Sequence, residues 1–244
     1  MELYGLIGRS LGHSFSKRFF EERFSQIRPE VGYALFELPT IEALPHFLEN
    51  HPQLRGFNVT IPYKEAVIPY LDRLSPEAEA IGAVNCVKRE PEGWVGYNTD
   101  YHGFLDSLET LLQGELPERA LVLGTGGASK AVQQALHRLK IPYEVVSRDP
   151  RRGDYTYETL RERGLAPYPL VVNATPIGTY PAVEEAPALP YPTLTPDHRL
   201  FDLVYNPPVT AFLAEGRARG ARTLNGEQML LCQAEASWRI WGLL

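Results

Sequence analysis

Leu121-Val122-Leu123-Gly124-Thr125-Gly126-Gly127-Ala128-Ser129-Lys130-Ala131 is the stretch on which the fold turns. An apolar run stops at glycines and passes into a run of good helix formers, which reads as strand, tight turn and helix. Gly124 permits the turn, and Gly126 and Gly127 let backbone N–H groups approach a pyrophosphate at the helix N-terminus. Many strand-to-helix turns are glycine-rich, so the flanks decide. Residues 120–123 read as a strand, 128–140 as a helix and 143–147 as the next strand. A short helix at 157–163, strands at 170–173 and 200–204 and a helix at 210–220 continue the series. This alternation predicts a parallel, doubly wound α/β sheet of Rossmann type.

The strand after the glycine turn ends in Ser147-Arg148-Asp149-Pro150-Arg151-Arg152. An NAD site usually carries an acid there, about 20 residues on, for the ribose 2′-OH. Here that position holds Ser147, and arginines follow. A carboxylate would repel a 2′-phosphate, whereas guanidinium groups bind one in bidentate fashion. Ser147, Arg148 and Arg152, with Gly124, Thr125, Gly126, Gly127 and Ala128, are therefore the expected contacts of an NADP cofactor. Asp149 counts against that reading, and a solvated basic loop is the plain alternative.

Upstream, strands are expected at 2–8, 32–38 and 54–60, and helices at 14–26, 41–49, 64–72 and 76–81. Phe15, Phe19, Phe20 and Phe24 fall near one face of the first helix. Residues 83–88 and 94–98 read as a hairpin turning at Glu90-Pro91-Glu92-Gly93, and Asp100 as the N-cap of a helix through Leu112. Residues 225–241 read as one long amphipathic helix. Two α/β units follow, over about 1–100 and 101–222, and the last helix either closes the second or returns to the first. The proline-rich segment 176–196 is either a gate or a rigid connector.

The segment Gly56-Phe57-Asn58-Val59-Thr60-Ile61-Pro62-Tyr63-Lys64 is too polar for a core and suits a pocket wall. Only five of the 24 basic residues are lysines, at 17, 64, 88, 130 and 140. Lysine can release a proton where arginine cannot, so Lys64 is a candidate for proton transfer; a solvated surface turn is the plain reading.

Composition bounds the rest. A chain of 244 residues suits two small domains, and 44% hydrophobic with 22% charged residues argues for a real core. The net charge of −6 argues against a nucleic-acid partner. Cys86 and Cys232 lack CxxC spacing, and no paired-histidine motif occurs, so neither a disulfide framework nor a metal is expected. Residues 1–5 lack a signal-peptide pattern and no apolar run reaches membrane length, which points to a soluble, cytoplasmic protein without a membrane partner.

Several further motifs stand in a fixed order: His13-Ser14-x-Ser16, Asn58-Val59-Thr60-x-Pro62-x-Lys64, Gly82-Ala83-Val84-Asn85, Asn98-Thr99-Asp100, Gly124-x-Gly126-Gly127, Asn173-Ala174-Thr175-Pro176-x-Gly178, Asp202-x-x-Tyr205-x-Pro207 and Gly226-x-x-Met229-Leu230-x-x-Gln233. With them the chain resembles, end to end, the NADP-dependent shikimate dehydrogenase family. The resemblance implies reversible NADP-linked reduction of 3-dehydroshikimate to shikimate, on the way to chorismate and the aromatic amino acids, by a monomer or homodimer. It implies a substrate domain over 1–100 that regains 223–244, an NADP-binding domain over 101–222 and a site in the cleft between them, with Lys64 and Asp100 as the catalytic pair and Ser14 and Ser16 as ligands of the substrate carboxylate. Asn58, Thr60, Asn85 and Gln233 match ligands of the ring oxygens, and Tyr205 a further substrate contact. Ala174, Thr175, Leu203, Gly226 and Met229 join the cofactor contacts. Three departures stand out. Arg9-Ser10 and Lys17 replace prolines common in the family, Ser147-Arg148-Asp149 replaces its Asn-Arg-Thr, and Ala234-Glu235 replaces its Gly-Ala. The rivals are an NAD-linked quinate/shikimate dehydrogenase and a non-catalytic NADP-binding sensor on the same fold, against which the presence of both Lys64 and Asp100 argues.

Overall fold

The computed structural model describes residues 2–12, 19–21, 28 and 30–243. The chain divides into two compact units, Met1–Thr99 with Ala234–Leu244, and Asp100–Gln233.

The first unit is built on a mixed six-stranded sheet in the order β2-β1-β3-β5-β6-β4. Its strands are β1 (Glu2–Gly8), β2 (Val31–Glu37), β3 (Leu54–Val59), β4 (Arg73–Leu74), β5 (Cys86–Glu90) and β6 (Gly93–Tyr97). Helices α1 (Leu44–Glu49) and α2 (Pro76–Ile81) complete it, with the end of a long helix described below. Strand β1 runs parallel to both β2 and β3, and its Tyr4, Leu6 and Ile7 are buried. The β5–β6 hairpin turns where expected, Glu90 facing Gly93. One apolar cluster gathers Ile7, Leu44, Leu54, Phe57, Val59 and Val67; another gathers Tyr4, Leu6, Phe20, Tyr33, Trp238 and Trp241. Trp238 and Trp241 are thus part of the core of this unit. Residues 19–21 are helical, and the rest of the expected helix 14–26, with Ser14 and Ser16, lies outside the described residues. The expected helix at 64–72 is instead a run of turns ending in a 3₁₀ turn, Ile68–Tyr70. Pro69 has no N–H to continue an α-helix, and its ring would meet the carbonyl four residues back.

The second unit carries a five-stranded sheet in the order β11-β10-β9-β7-β8, parallel throughout. Its elements are α3 (Asp100–Leu112), β7 (Ala120–Leu123), α4 (Gly127–Arg138), β8 (Tyr143–Val146), α5 (Tyr157–Arg163), β9 (Leu170–Asn173), β10 (Arg199–Asp202), α6 (Ala211–Arg217), β11 (Arg222–Leu224) and the start of α7 (Glu227–Trp241). Leu121, Leu123, Val146, Leu160, Val171, Leu200, Phe212 and Leu213 form its core, and Phe104 of α3 stacks on Phe201 of β10 at 5.0 Å. The sequence reading began the returning segment at 223, whereas the observed division falls inside α7. Residues 222–224 pair with β10, and a Cβ on Gly103 would lie 2.6 Å from the Met229 carbonyl, so the first half of α7 belongs with α3. Among the described residues no helix is long and apolar enough to cross a membrane.

Candidate functional site

Register explains why the cofactor candidates of the second unit come together. Leu123 pairs with Val146 on one side and Asn173 on the other, and Asn173 pairs with Asp202. Four strands therefore end level, and the next residues are Gly124, Ser147, Ala174 and Leu203, all expected cofactor contacts. Strand order reverses direction at β7, which has β8 on one side and β9 on the other, and the crevice outside such a switch point is where α/β sheets bind ligands.

The glycine turn has the shape its chemistry needs. Gly124 has φ of +102°, and a Cβ there would lie 2.9 Å from Thr175 Cγ2 and 3.1 Å from the Ala174 carbonyl. Gly126 caps α4 without any side-chain hydrogen bond, and nothing stands within 4 Å of where its Cβ would be. The helix ladder starts with Lys130 N donating to Gly126 O at 3.1 Å. The helix therefore starts without a side-chain cap and with open space beside Gly126, at the positive end of a helix dipole, which fits a pyrophosphate. Ser129 Oγ fastens the turn from below, donating to Gly124 O at 2.6 Å.

The arginine loop resolves the objection raised by Asp149. Arg151 engages that carboxylate through Nε at 3.0 Å and Nη2 at 2.9 Å, and holds its pKa below the usual aspartate value. Arg152 Nη2 donates to the Thr125 carbonyl at 3.1 Å, which sets its guanidinium on the glycine turn. Arg148 is exposed, while Ser147 is buried with its Oγ accepting from Asp149 N at 3.1 Å. Arg148 and Arg152 thus remain for a 2′-phosphate, and Asp149 is already matched by Arg151.

Beside this lies a polar chain of which sequence reading named only the motifs. Thr175 donates to Asn173 Oδ1 from N at 3.1 Å and from Oγ1 at 2.6 Å. Asn173 Nδ2 donates to Asp202 Oδ1 at 2.9 Å, as does Val204 N at 3.0 Å, and Thr210 Oγ1 donates to Asp202 Oδ2 at 2.5 Å. Asp202 is fully buried, and burial pushes its carboxyl up to about 6 despite those donors. Gly226 comes so close that a Cβ would lie 2.1 Å from the Leu203 carbonyl; Met229 is buried, and Tyr205 is half-buried past the end of β10. Asp100 is buried as the first residue of α3, and Gln233 is half-buried with Nε2 donating to Leu230 O at 2.9 Å.

In the first unit, backbone bonds gather three motifs distant in sequence. Val59 N donates to Asn85 O at 2.9 Å and Val84 N to Lys64 O at 2.7 Å, while Asn98 Nδ2 reaches Ala83 O at 2.9 Å. Lys64 and Thr60 are half-buried on the turn after β3. Asn85 is buried and locked to Thr99, its Oδ1 accepting from Thr99 N at 2.6 Å and its Nδ2 donating to Thr99 Oγ1 at 2.9 Å. Asn58 is buried too. Its amide donates to Asn85 O at 3.2 Å and to Ser237 Oγ at 2.9 Å, and its Oδ1 accepts from Tyr33 Oη at 2.9 Å. Both Asn58 amide hydrogens are therefore spent within the protein, which leaves only accepting capacity for a ligand. Tyr33 and Ser237 belong to no motif. Ser237 could have been suspected as a polar residue on the apolar stripe Ala234, Trp238 and Trp241 of α7.

Comparisons with known proteins show what the chain is similar to. A family model described as the shikimate dehydrogenase substrate binding domain matches residues 6–87. The chain is 38% identical over 257 aligned residues to the NADP(+) shikimate dehydrogenase of Clostridium beijerinckii, covering 99% of this chain and 92% of that one. It is 35% identical to the Thermus thermophilus shikimate 5-dehydrogenase solved with NADP(H) and shikimate, covering 100% and 94% of the two chains at a TM-score of 0.86. The quinate dehydrogenase of Corynebacterium glutamicum, solved with NAD, is also similar: 30% identity, 100% and 94% coverage, TM-score 0.86.

Proposed function

The chain belongs to the shikimate dehydrogenase family, and we propose that it catalyses the reversible, NADP-linked reduction of 3-dehydroshikimate to shikimate. The carrying observation is 38% identity over 99% of the chain to an NADP(+) shikimate dehydrogenase, in a sequence that has both Lys64 and Asp100. The first unit is then the substrate-binding part and the second the NADP-binding part. The working enzyme is a cytoplasmic monomer or homodimer.

The residues have the chemistry this step requires. When bound, the nicotinamide of NADPH supplies the hydride. The Lys64 ammonium stabilises charge growing on the ketone oxygen and delivers the proton, and its neutral amine takes the proton back in the oxidative direction. Asp100, the second member of the pair, accepts from a ring hydroxyl. Ser14 and Ser16 hold the substrate carboxylate. Thr60, Asn85, Tyr205 and Gln233 supply neutral partners for the ring oxygens, and Asn58 adds an acceptor and fixes its neighbours. Such a site rejects an analogue lacking one hydroxyl, because its own buried groups are left unpaired. The amides of Gly126, Gly127 and Ala128 hold the pyrophosphate, while Ser147, Arg148 and Arg152 hold the adenosine ribose phosphate. Gly124, Thr125, Ala174, Thr175, Leu203, Gly226 and Met229 line the remainder.

A second reading, NAD-linked quinate dehydrogenase, has the Corynebacterium relative in its favour. Steady-state kinetics with shikimate and quinate, each with NADP+ and NAD+, separates the two. Shikimate with NADP+ should lead the other pairs in kcat/KM by at least about tenfold, the scale of one missing charge-assisted hydrogen bond. A lead for quinate with NAD+ would select the second reading, and no turnover with any pair would leave only the sensor.

A further inference from the structure

We propose that Asp202 is the positioning residue for the cofactor-side loops of the second unit: its buried carboxylate gathers the donors of three segments and so sets the backbone of Ala174, Thr175 and Leu203. A carboxylate has room for about four donors and offers none of its own. Here three arrive from different places in the chain. Asn173 Nδ2 donates at 2.9 Å from the end of β9, Val204 N at 3.0 Å from the loop after β10, and Thr210 Oγ1 at 2.5 Å from the N-cap of α6. Asn173 passes the constraint on, because its Oδ1 accepts from both the backbone and the hydroxyl of Thr175. The Thr175 hydroxyl then accepts from Ile177 N at 3.3 Å. No charged group is among the partners that set its pKa; of titratable groups, the Tyr191 phenol lies within its field.

A carboxylate so placed is unfavourable for stability, since burial resists its charge more than the three donors favour it. An amide of the same shape would avoid that penalty but would set an N–H against one of the donors. The Thr210 hydroxyl is the donor displaced, because it bonds Oδ2 while the two N–H donors share Oδ1, which the amide oxygen can replace. Persistence of the acid is explained if acceptor-only chemistry is needed to hold the loops in one arrangement.

The proposal rests on the assignment of Ala174, Thr175 and Leu203 to the cofactor, and its test separates the two. Asp202→Asn should raise KM for NADP+ about tenfold, with KM for shikimate within about twofold of wild type and the melting temperature at neutral pH no lower than wild type. A purely structural role would instead lower the melting temperature and leave KM for NADP+ alone, and that result would overturn the proposal. Should Asp202→Asn not fold, Thr210→Val serves in its place. It should raise KM for NADP+ several-fold, whereas Thr210→Ser, which keeps the donor, should stay within about twofold. Equal behaviour of the two Thr210 variants would also overturn it. Ala174→Leu crowds the loop and leaves Asp202, Asn173, Val204 and Thr210 themselves unsubstituted. If it left KM for NADP+ unchanged, the cofactor assignment would fall and the proposal with it. If it raised KM while Asp202→Asn did not, only the role of Asp202 would fall.

Discussion

Asp202 also makes a stability prediction at the scale of one residue. Its folded pKa of about 6 stands above the 3.8 of an unperturbed aspartate. A raised folded value means that the native state prefers the protonated form. The stability this group contributes is fully present below about 4 and is lost as pH rises through about 6, a swing on the order of 3 kcal/mol. Tyr191, whose pKa burial raises, does not ionise in that window. The melting temperature of wild type should therefore gain on that of Asp202→Asn as pH falls from about 7 to about 4. A constant gap across the range would contradict the buried, ionised carboxylate. The loop Ser147–Arg152 makes the complementary point. Sequence alone left Asp149 as an objection to a phosphate site, because nothing in a one-dimensional reading says which arginine a carboxylate will choose. Arg151 takes it through two nitrogens, while Arg152 turns to Thr125. The bonds of Tyr33 and Ser237 to Asn58 were hidden for a related reason: Asn58 is 25 residues from one and 179 from the other.

At the scale of elements, the β7–α4 turn was legible because its determinants are local: an apolar strand, glycines at the bend and helix formers beyond it. Two of its glycines, Gly124 and Gly126, nevertheless do different work, and this can be measured. Gly124→Ala would force a side chain into positive φ and against Thr175, so it should lose about 1–3 kcal/mol of stability. Gly126→Ala meets an ordinary backbone, φ −84° and ψ −180°, and open space, so it should melt as wild type does. Its methyl group would nonetheless stand where the pyrophosphate approaches, and NADP+ affinity should fall about tenfold or more. Thermal melts with NADP+ titrations read both effects; wild-type NADP+ affinity in Gly126→Ala would remove the turn from the site. Elements with weaker local signals were misread or missed. The helix expected at 64–72 ignored Pro69. Strands β4 and β11, of two and three residues, are too short to show a period.

At the scale of the whole molecule, the helix start at Asp100 lies within one residue of the expected first boundary, and nothing in the sequence marks the second. The division falls at Gln233/Ala234, in the middle of α7, where the helical pattern runs on without a glycine, a proline or a change in composition. Only packing marks the change: Met229 carbonyl lies against Gly103, while Ala234 and Trp238 enter the core with Tyr4 and Phe20. The proposed roles divide only in part between the units, since Asp100, Tyr205 and Gln233 belong with the second. One presents Asn58, Thr60, Lys64 and Asn85 on bonded strand ends, and the other presents the glycine turn and its arginines. The account therefore predicts that removing Lys64 damages the reaction and spares the cofactor. The direct measurement is the rate of NADPH formation from shikimate by Lys64→Ala, with NADP+ affinity titrated on the same samples. Turnover should fall by about 10²–10⁴, the range of a lost general acid–base, with NADP+ affinity within about twofold of wild type. Turnover equal to wild type would contradict the account.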